Sequence, residues 1–396
     1  MIKTLFKNTA FYFFGLAFSK IVSLAVFILY ARVLLPDGFG QYVFYLTILQ
    51  VVTFFADFGL NQWYQKNVDA LKKNEVLNRA LQARVLTLFL SLILSYLFLS
   101  MTSTFAIPLI SLLFLSTLIP EALLSVLDGY YLERSQPLPV VLKTASKMAV
   151  ALAGYFFFRD GFSLTVAIYV YLAADLITLA WFFPLRFVKL LFPYSLRDAL
   201  KSLGSSFSYA LLMSTSFLYA RGDSLIIGYA LPKTALGFYG AAYRYLESLS
   251  LLPSALAQNL FPISAKGQGI SKANLTRITL ITILTGLVLS LAVFFSAPFL
   301  IIGLLGAEYV SAIPILKVFS LVLLLFFVNA PLATVIQSSS YLKKFLPYGF
   351  ANTIVNLVLN FLLVPIYGIQ AAAWVMVFTE VTGLIVNAVF IKKIYD

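Results

Sequence analysis

Residues Ile278 to Phe295 read ITLITILTGLVLSLAVFF, a run without a charged residue that is apolar on every face of the helix it would form. At about 1.5 Å per residue it covers most of the roughly 30 Å hydrocarbon core of a bilayer. Leu86 to Leu99 has the same character, and a further long, largely apolar stretch runs from about Asn8 to Leu35. The whole chain of 396 residues is 61% hydrophobic and 11% charged, with a mean hydropathy of +0.96. No water-soluble core can hide that much apolar surface, so the bilayer is the solvent. Backbone polar groups in hydrocarbon must be satisfied within helices or a closed barrel. Barrel strands alternate over roughly ten residues, and no such alternation runs along this sequence. The first apolar stretch is too long for a signal-peptide core and precedes no small-residue cleavage site, so it is read as a retained span.

Apolar windows between charged or Pro/Gly-rich breaks predict an all-α integral membrane fold of about twelve spans. They lie near 8–34, 39–65, 80–100, 106–130, 138–158, 163–186, 205–230, 236–262, 275–297, 307–335, 347–365 and 369–390. Pro36-Asp37-Gly38 closes the first span, Pro232 the seventh and Pro365-Ile366-Tyr367-Gly368 the eleventh, as tight reversals require. The N-terminus (Lys3, Lys7), the even-numbered connections and the C-terminus (Lys392, Lys393) hold about 21 of the 28 cations. The odd connections hold Arg32, Arg159 and Lys233. This asymmetry places both termini in the cytoplasm and requires an even number of spans, with the plasma membrane as the expected location. The net charge of +13 is thereby explained by topology and anionic inner-leaflet lipid, and no nucleic-acid partner is needed.

The sequence also repeats itself. Leu35-Pro36 followed by Gly40-Gln41-Tyr42 is echoed by Leu231-Pro232 followed by Gly237-Phe238-Tyr239, an offset of 196 or 197. Under an offset of 197, the polar positions Gln50, Thr53, Asp57 and Asn61 of the second span fall on Glu247, Ser250, Ser254 and Gln258 of the eighth. Spacings of three and four put each set on one helix face. Spans two and eight run in the same direction, so the repeat is parallel, with six-helix lobes at 1–195 and 196–396 around a central cavity. Transporters built on such repeats hold substrate near mid-membrane between the halves. The recurrence of Leu29-Tyr30-Ala31-Arg32 as Leu218-Tyr219-Ala220-Arg221 has a different offset, 189, and is read as coincidence.

Ionisable residues within spans are costly unless paired or hydrated, so each is either a helix staple or a functional group. Lys20, Asp57, Glu121, Asp175, Arg221, Asp223, Arg244, Glu247, Lys317 and Glu380 fall in or near the spans. Lys20 adjoins a polar face of Asn8, Tyr12, Gly15, Ser19 and Ser23 and is expected to meet an aqueous lumen. Arg244 and Glu247 are spaced i, i+3, which allows an internal ion pair or a ligand-facing Arg. Asp223 shares a face with Ser216 and Tyr219 and is a candidate for cation or proton coupling. Glu121, Asp175 and Lys317 read as structural partners. Asn352, Asn356 and Asn360 recur every four residues, a pattern for interhelical hydrogen bonding or a lumen lining. There is no cysteine and no histidine, so thiolate chemistry and imidazole ligation are excluded, and no cofactor, metal site or catalytic constellation is expected.

Several stretches carry a family resemblance. They are Leu35-Pro36-Asp37-Gly38-Phe39-Gly40-Gln41-Tyr42, Asp57-Phe58-Gly59-Leu60, Gly237-Phe238-Tyr239-Gly240-Ala241-Ala242-Tyr243, Leu260-Phe261-Pro262 and Gly306-Ala307-Glu308-Tyr309. The most specific is Asn356-Leu357-Val358-Leu359-Asn360-Phe361-Leu362-Leu363-Val364-Pro365-Ile366-Tyr367-Gly368-Ile369-Gln370-Ala371-Ala372-Ala373. In this order they resemble the polysaccharide biosynthesis (O-antigen and teichoic-acid type) flippases of the multidrug/oligosaccharidyl-lipid/polysaccharide exporter superfamily. The chain departs from them in Ala371, where a glycine is usual, and in having twelve spans where many relatives have fourteen. The resemblance implies movement of an isoprenoid-pyrophosphate-linked oligosaccharide to the outer leaflet by alternating access, alongside glycosyltransferases and a polymerase. Lys20, Arg244 and Arg221 would meet the pyrophosphate, and Gln50, Asp57, Asn61, Tyr219, Glu247 and Gln258 would line the substrate site. A multidrug or organic-cation exporter coupled to Na⁺ or H⁺ is the rival within the superfamily. A membrane-embedded glycosyltransferase or polymerase is the rival of another class.

Overall fold

The computed structural model describes residues 2–68, 73–101, 108–134, 137–183, 194–265 and 270–396, for some of them, including 2–14, the backbone alone. Among the described residues each expected span is largely helical and no strand occurs. The helices are α1 (Ile2–Asp57), α2 (Leu60–Asn67), α3 (Lys73–Met101), α4 (Pro108–Glu133), α5 (Pro137–Phe157), α6 (Leu164–Phe182) and α7 (Leu196–Ala230). They continue with α8 (Lys233–Leu249), α9 (Leu251–Ala265), α10 (Lys272–Pro298), α11 (Ile313–Gln337), α12 (Leu342–Tyr367) and α13 (Ile369–Tyr395). Eight helical stretches among the described residues are long and apolar enough to cross a membrane. The first, Phe18–Asn67, has 50 residues. That is about 75 Å of helix, enough for two passes. The protein is an all-α, multi-pass membrane protein.

The first two spans form one helical element with a corner at Leu35, whose φ of 57° and ψ of 169° lie in a region that is nearly glycine's alone. Pro36 follows and bars an α conformation before it. Two spans expected as single helices are broken. The second stops at Asp57 because Phe58 (φ 46°) and Gly59 (φ 71°) have left-handed backbones before α2 begins. The eighth divides into α8 and α9 at Ser250. Pro253 lacks the N–H that would bond the Leu249 carbonyl and continue the ladder.

The chain forms two compact units. One comprises Met1–Leu34 and Tyr45–Phe217, the other Leu35–Phe44 and Leu218–Asp396. In the first, α2, α3 and α4 bury Trp63, Tyr64, Val76, Leu77, Leu81, Leu124, Leu127 and Tyr130, while α6 packs on α4 and α5. In the second, α11 is central, with α8, α9, α10 and α13 against it and Phe319, Val322 and Leu323 buried along its length.

Within the second unit, residues 35–44 cross the start of α8 in a reciprocal arrangement. A β-carbon on Gly40 would lie 1.7 Å from the Lys233 carbonyl oxygen, and one on Gly237 would lie 2.1 Å from the Pro36 carbonyl oxygen. Positions 40 and 237, and 36 and 233, are related by the repeat offset of 197. The Thr234 hydroxyl donates to Asp37 Oδ1 at 3.2 Å, and Gly240 faces Val43, so both contacts join equivalent positions of the repeat. The repeated glycines therefore have a physical cause: equivalent backbones meet where a methyl group does not fit.

Ala at Gly40 or Gly237 is expected to cost about 1–3 kcal/mol through overpacking. At Gly204 in α7 nothing lies within 4 Å of the place an alanine methyl would take, and Ala there is expected to be neutral or stabilising. Thermal unfolding of the three variants in detergent checks this, and equal melting points would contradict the crossing.

Candidate functional site

The second unit contains a cationic cluster half-open to its surroundings. Arg221 of α7 lies 3.1 Å from Glu247 Oε1, and Arg244 of α8 lies 2.8 Å from Glu247 Oε2. Side-chain exposures of 19%, 21% and 20% for Arg221, Arg244 and Glu247 mark the group as neither sealed nor solvated. Two guanidinium groups thus share one carboxylate. Arg221 also stands 5.5 Å from the centre of the Tyr243 ring, whose hydroxyl donates to the Ala220 carbonyl at 3.1 Å. The i, i+3 ion pair read from the sequence is present, and Arg221 joins it because α7 and α8 are antiparallel neighbours across the turn at Leu231-Pro232.

Two residues along α7, Asp223 points to different partners. It accepts from the buried Tyr239 hydroxyl and, at 2.6 Å, from the Ser224 amide. Tyr219 donates to Glu380 of α13 and lies 3.2 Å from the Thr379 hydroxyl. Asn329 of α11 completes the Glu380 site, donating to its Oε2 at 2.8 Å. The asparagines of α12 turn toward α13: Asn352 donates to the Thr379 carbonyl and Asn356 to the Thr379 hydroxyl, both at 3.1 Å. Asn360 donates back to Asn356. Their four-residue spacing therefore serves interhelical bonding. Gln258 is on α9, and its side chain lies outside the described residues.

In the first unit, Asp57 and Asn61 converge on Arg84 of α3. The Arg84 guanidinium is paired with Asp57 and donates to Asn61 Oδ1 at 3.2 Å and to Ser125 Oγ of α4 at 3.1 Å. Asn61 in turn donates to the Ser125 carbonyl at 3.1 Å. The helix break separates Asp57 from Asn61, so they meet through this shared cation and not through a common helical face. Gln50 is exposed on α1, and Lys20 is half-buried. The face beside Lys20 is partly packed: Gly15 abuts Val141 of α5, and Ser19 is buried with its hydroxyl bonded to the Gly15 carbonyl at 2.8 Å. Asn8 and Tyr12 of that expected polar face have side chains outside the described residues.

Three cations escaped the sequence reading. Arg84, Lys143 and Lys147 sit inside helices of the first unit and are matched by Asp57, Asp128, and the pair Glu121 and Asp175. Lys143 and Lys147 are one helical turn apart in an apolar span, a signal that was present but is easily taken for loop charge in a topology count. Lys317 stands 5.1 Å from the centre of the Phe294 ring.

The helices, broken spans and membrane-embedded ion pairs define the class, a helical membrane protein with a transporter-type fold. Among solved structures, a lipid II flippase MurJ in an inward closed conformation has a TM-score of 0.81 at 13% identity, covering 97% of this chain and 87% of that one. An inward-facing multidrug resistance MATE family transporter of the MOP superfamily has a TM-score of 0.67 at 15% identity, covering 95% of each chain. A eukaryotic MATE transporter, AtDTX14, has a TM-score of 0.61 at 17% identity, covering 99% and 95%. No curated protein matches in sequence. Residues 5–268, more than half of the chain, match the polysaccharide biosynthesis protein family. The chain belongs to that family.

Arg84 is 1% exposed, so Arg84→Met is expected to destabilise the protein by about 3–5 kcal/mol, leaving Asp57 uncompensated. Adding Asp57→Asn should restore much of that loss. Denaturation of the single and double variants decides the point, and additive losses would contradict the pairing.

Proposed function

We propose that this protein is a flippase that carries isoprenoid-pyrophosphate-linked oligosaccharide from the cytoplasmic to the outer leaflet. The reading takes the halves 1–195 and 196–396 as two six-helix lobes that alternate access to a substrate site, with both termini in the cytoplasm of a cell-membrane protein. The observation that carries it is the convergence of two guanidinium groups, Arg221 and Arg244, on the one carboxylate of Glu247. A pyrophosphate offers negative charge and several acceptor oxygens, and charge-assisted hydrogen bonds to guanidinium are strong away from bulk water. Glu247 holds both guanidinium groups in place before the ligand arrives. We also assign Lys20 to anion binding, and Gln50, Asn61, Tyr219 and Gln258 to sugar hydroxyls, with Asp57 orienting Asn61 through Arg84. The structurally similar MurJ is a lipid II flippase, which supports a lipid cargo for this fold. Glycosyltransferases and a polymerase would supply and consume such a substrate.

A second reading, an organic-cation exporter, is favoured by one feature. Glu380 is held by Tyr219 and Asn329 and has no ion-pair partner among the described residues. An acid of that kind suits exchange of a cation. In either reading Asp223 is assigned to Na⁺ or H⁺ coupling.

In proteoliposomes carrying a tagged isoprenoid-pyrophosphate sugar, Lys20→Ala and Arg244→Ala are each expected to slow translocation ~10-fold or more, reflecting loss of a charged hydrogen bond worth ~1.5–3 kcal/mol. Insertion should be unaffected, and full activity in both variants rejects the pyrophosphate cradle. With an imposed ion gradient, Asp223→Asn should transport no faster than it does without one. Transport by the unaltered protein that ignores collapse of the gradient would count against coupling.

A further inference from the structure

Near the middle of α4, α5 and α6, three charged side chains meet away from the cluster just described. Lys147 Nζ of α5 lies 2.6 Å from Glu121 Oε2 of α4 and 2.7 Å from Asp175 Oδ1 of α6. The Tyr171 hydroxyl of α6 is 2.9 Å from the same nitrogen. The two carboxyls thus contact the same ammonium group. Asp175 is fully buried at 0% exposure, and its Oδ2 has no hydrogen-bond partner.

One lysine against two carboxylates leaves a charge of −1. The neighbouring ion pairs are each neutral in themselves. Lys143 is 2.6 Å from Asp128, one turn along the same helices, and those two neutralise each other. Arg84 and Asp57, where α3 and α1 meet α4, form another neutral pair. Tyr171 and Tyr155 are the neighbouring phenols on α6 and α5, and α1, which packs on α5 at Gly15, contributes Lys20. A staple between helices needs only one acid for its lysine. A second acid, buried with an orphaned oxygen at the centre of a span, is unfavourable unless something neutralises it. A metal cation is a poor candidate, because the Lys147 ammonium already lies between the carboxyls and would repel it. Two close carboxyls that cannot both ionise share a proton.

We propose that Glu121, Asp175 and Lys147 form a proton-binding site holding one exchangeable proton shared by the two carboxyls. Binding takes the group from −1 to zero; release returns the proton to water and leaves the lysine to pair with two carboxylates. Glu121, with 28% exposure, is the end through which water reaches the proton, and Asp175 is the dry end. The site goes beyond the transport reading and does not depend on the identity of the cargo.

The test uses the full chain in lipid nanodiscs and infrared difference spectra between acid and alkaline pH. The unaltered protein should show a titrating C=O stretch of a protonated carboxyl that shifts in D₂O. Glu121→Gln and Asp175→Asn each leave one acid for one lysine, so either change should abolish that band and reduce proton release by one per chain. Lys147→Met should strengthen the band, since both acids then need a proton. Should the variants fail to fold, carboxyl ¹³C-labelling of Asp, and separately of Glu, in the unaltered protein must shift the band. A spectrum unchanged in both acid variants, no band that moves with either label, or a signal that appears only on adding Na⁺ would overturn the proposal.

Discussion

Charge inside hydrocarbon has to be matched, and this requirement organises the whole molecule. Uncompensated, an ionised side chain at the bilayer centre costs at least ~2.5–3.5 kcal/mol, so each one ties its helix to a partner. In the first unit Arg84 joins α1, α2, α3 and α4 through Asp57, Asn61 and Ser125. Lys147 joins α4, α5 and α6. In the second unit Glu247 ties α7 to α8, and Glu380 ties α7, α11 and α13. Neutral contacts add to these, among them the Asn352 and Asn356 bonds to Thr379 and the glycine crossing of residues 35–44 with α8.

The places where matching is incomplete are the informative ones. Arg221 and Arg244 share the one carboxylate of Glu247, and Glu121 and Asp175 share the one ammonium of Lys147. The first group is partly exposed and suits a large anionic ligand. The second is nearly closed and suits a proton. The two groups lie in separate units and differ in exposure, so each is proposed to serve a different chemistry.

The class of fold was legible in composition alone, because 61% hydrophobic residues in long uncharged runs admit no other solvent than lipid. The repeat was legible too, and its glycines proved to sit where equivalent backbones touch. The site was less so. Asp57 and Asn61 have the four-residue spacing of one helix face, yet Gly59 breaks the helix between them and a cation from α3 brings them together. Arg221 belonged to a motif match with the wrong offset, but side-chain length lets it reach Glu247 across a helix pair. Lys143 and Lys147 carry the charge sign of cytoplasmic loops, and only packing of α5 against α4 and α6 shows them to be internal. Partnership across helices is a property of tertiary structure, and a helical period along one segment does not encode it.

The central claim is that the cationic group of the second unit recognises a pyrophosphate carried on a lipid. Its most direct measurement compares binding of isoprenyl diphosphate, isoprenyl monophosphate and the uncharged isoprenol to the purified protein at two salt concentrations. The account predicts binding in that descending order, with the diphosphate weakened most by salt. Equal affinity for all three, indifferent to salt, would contradict it.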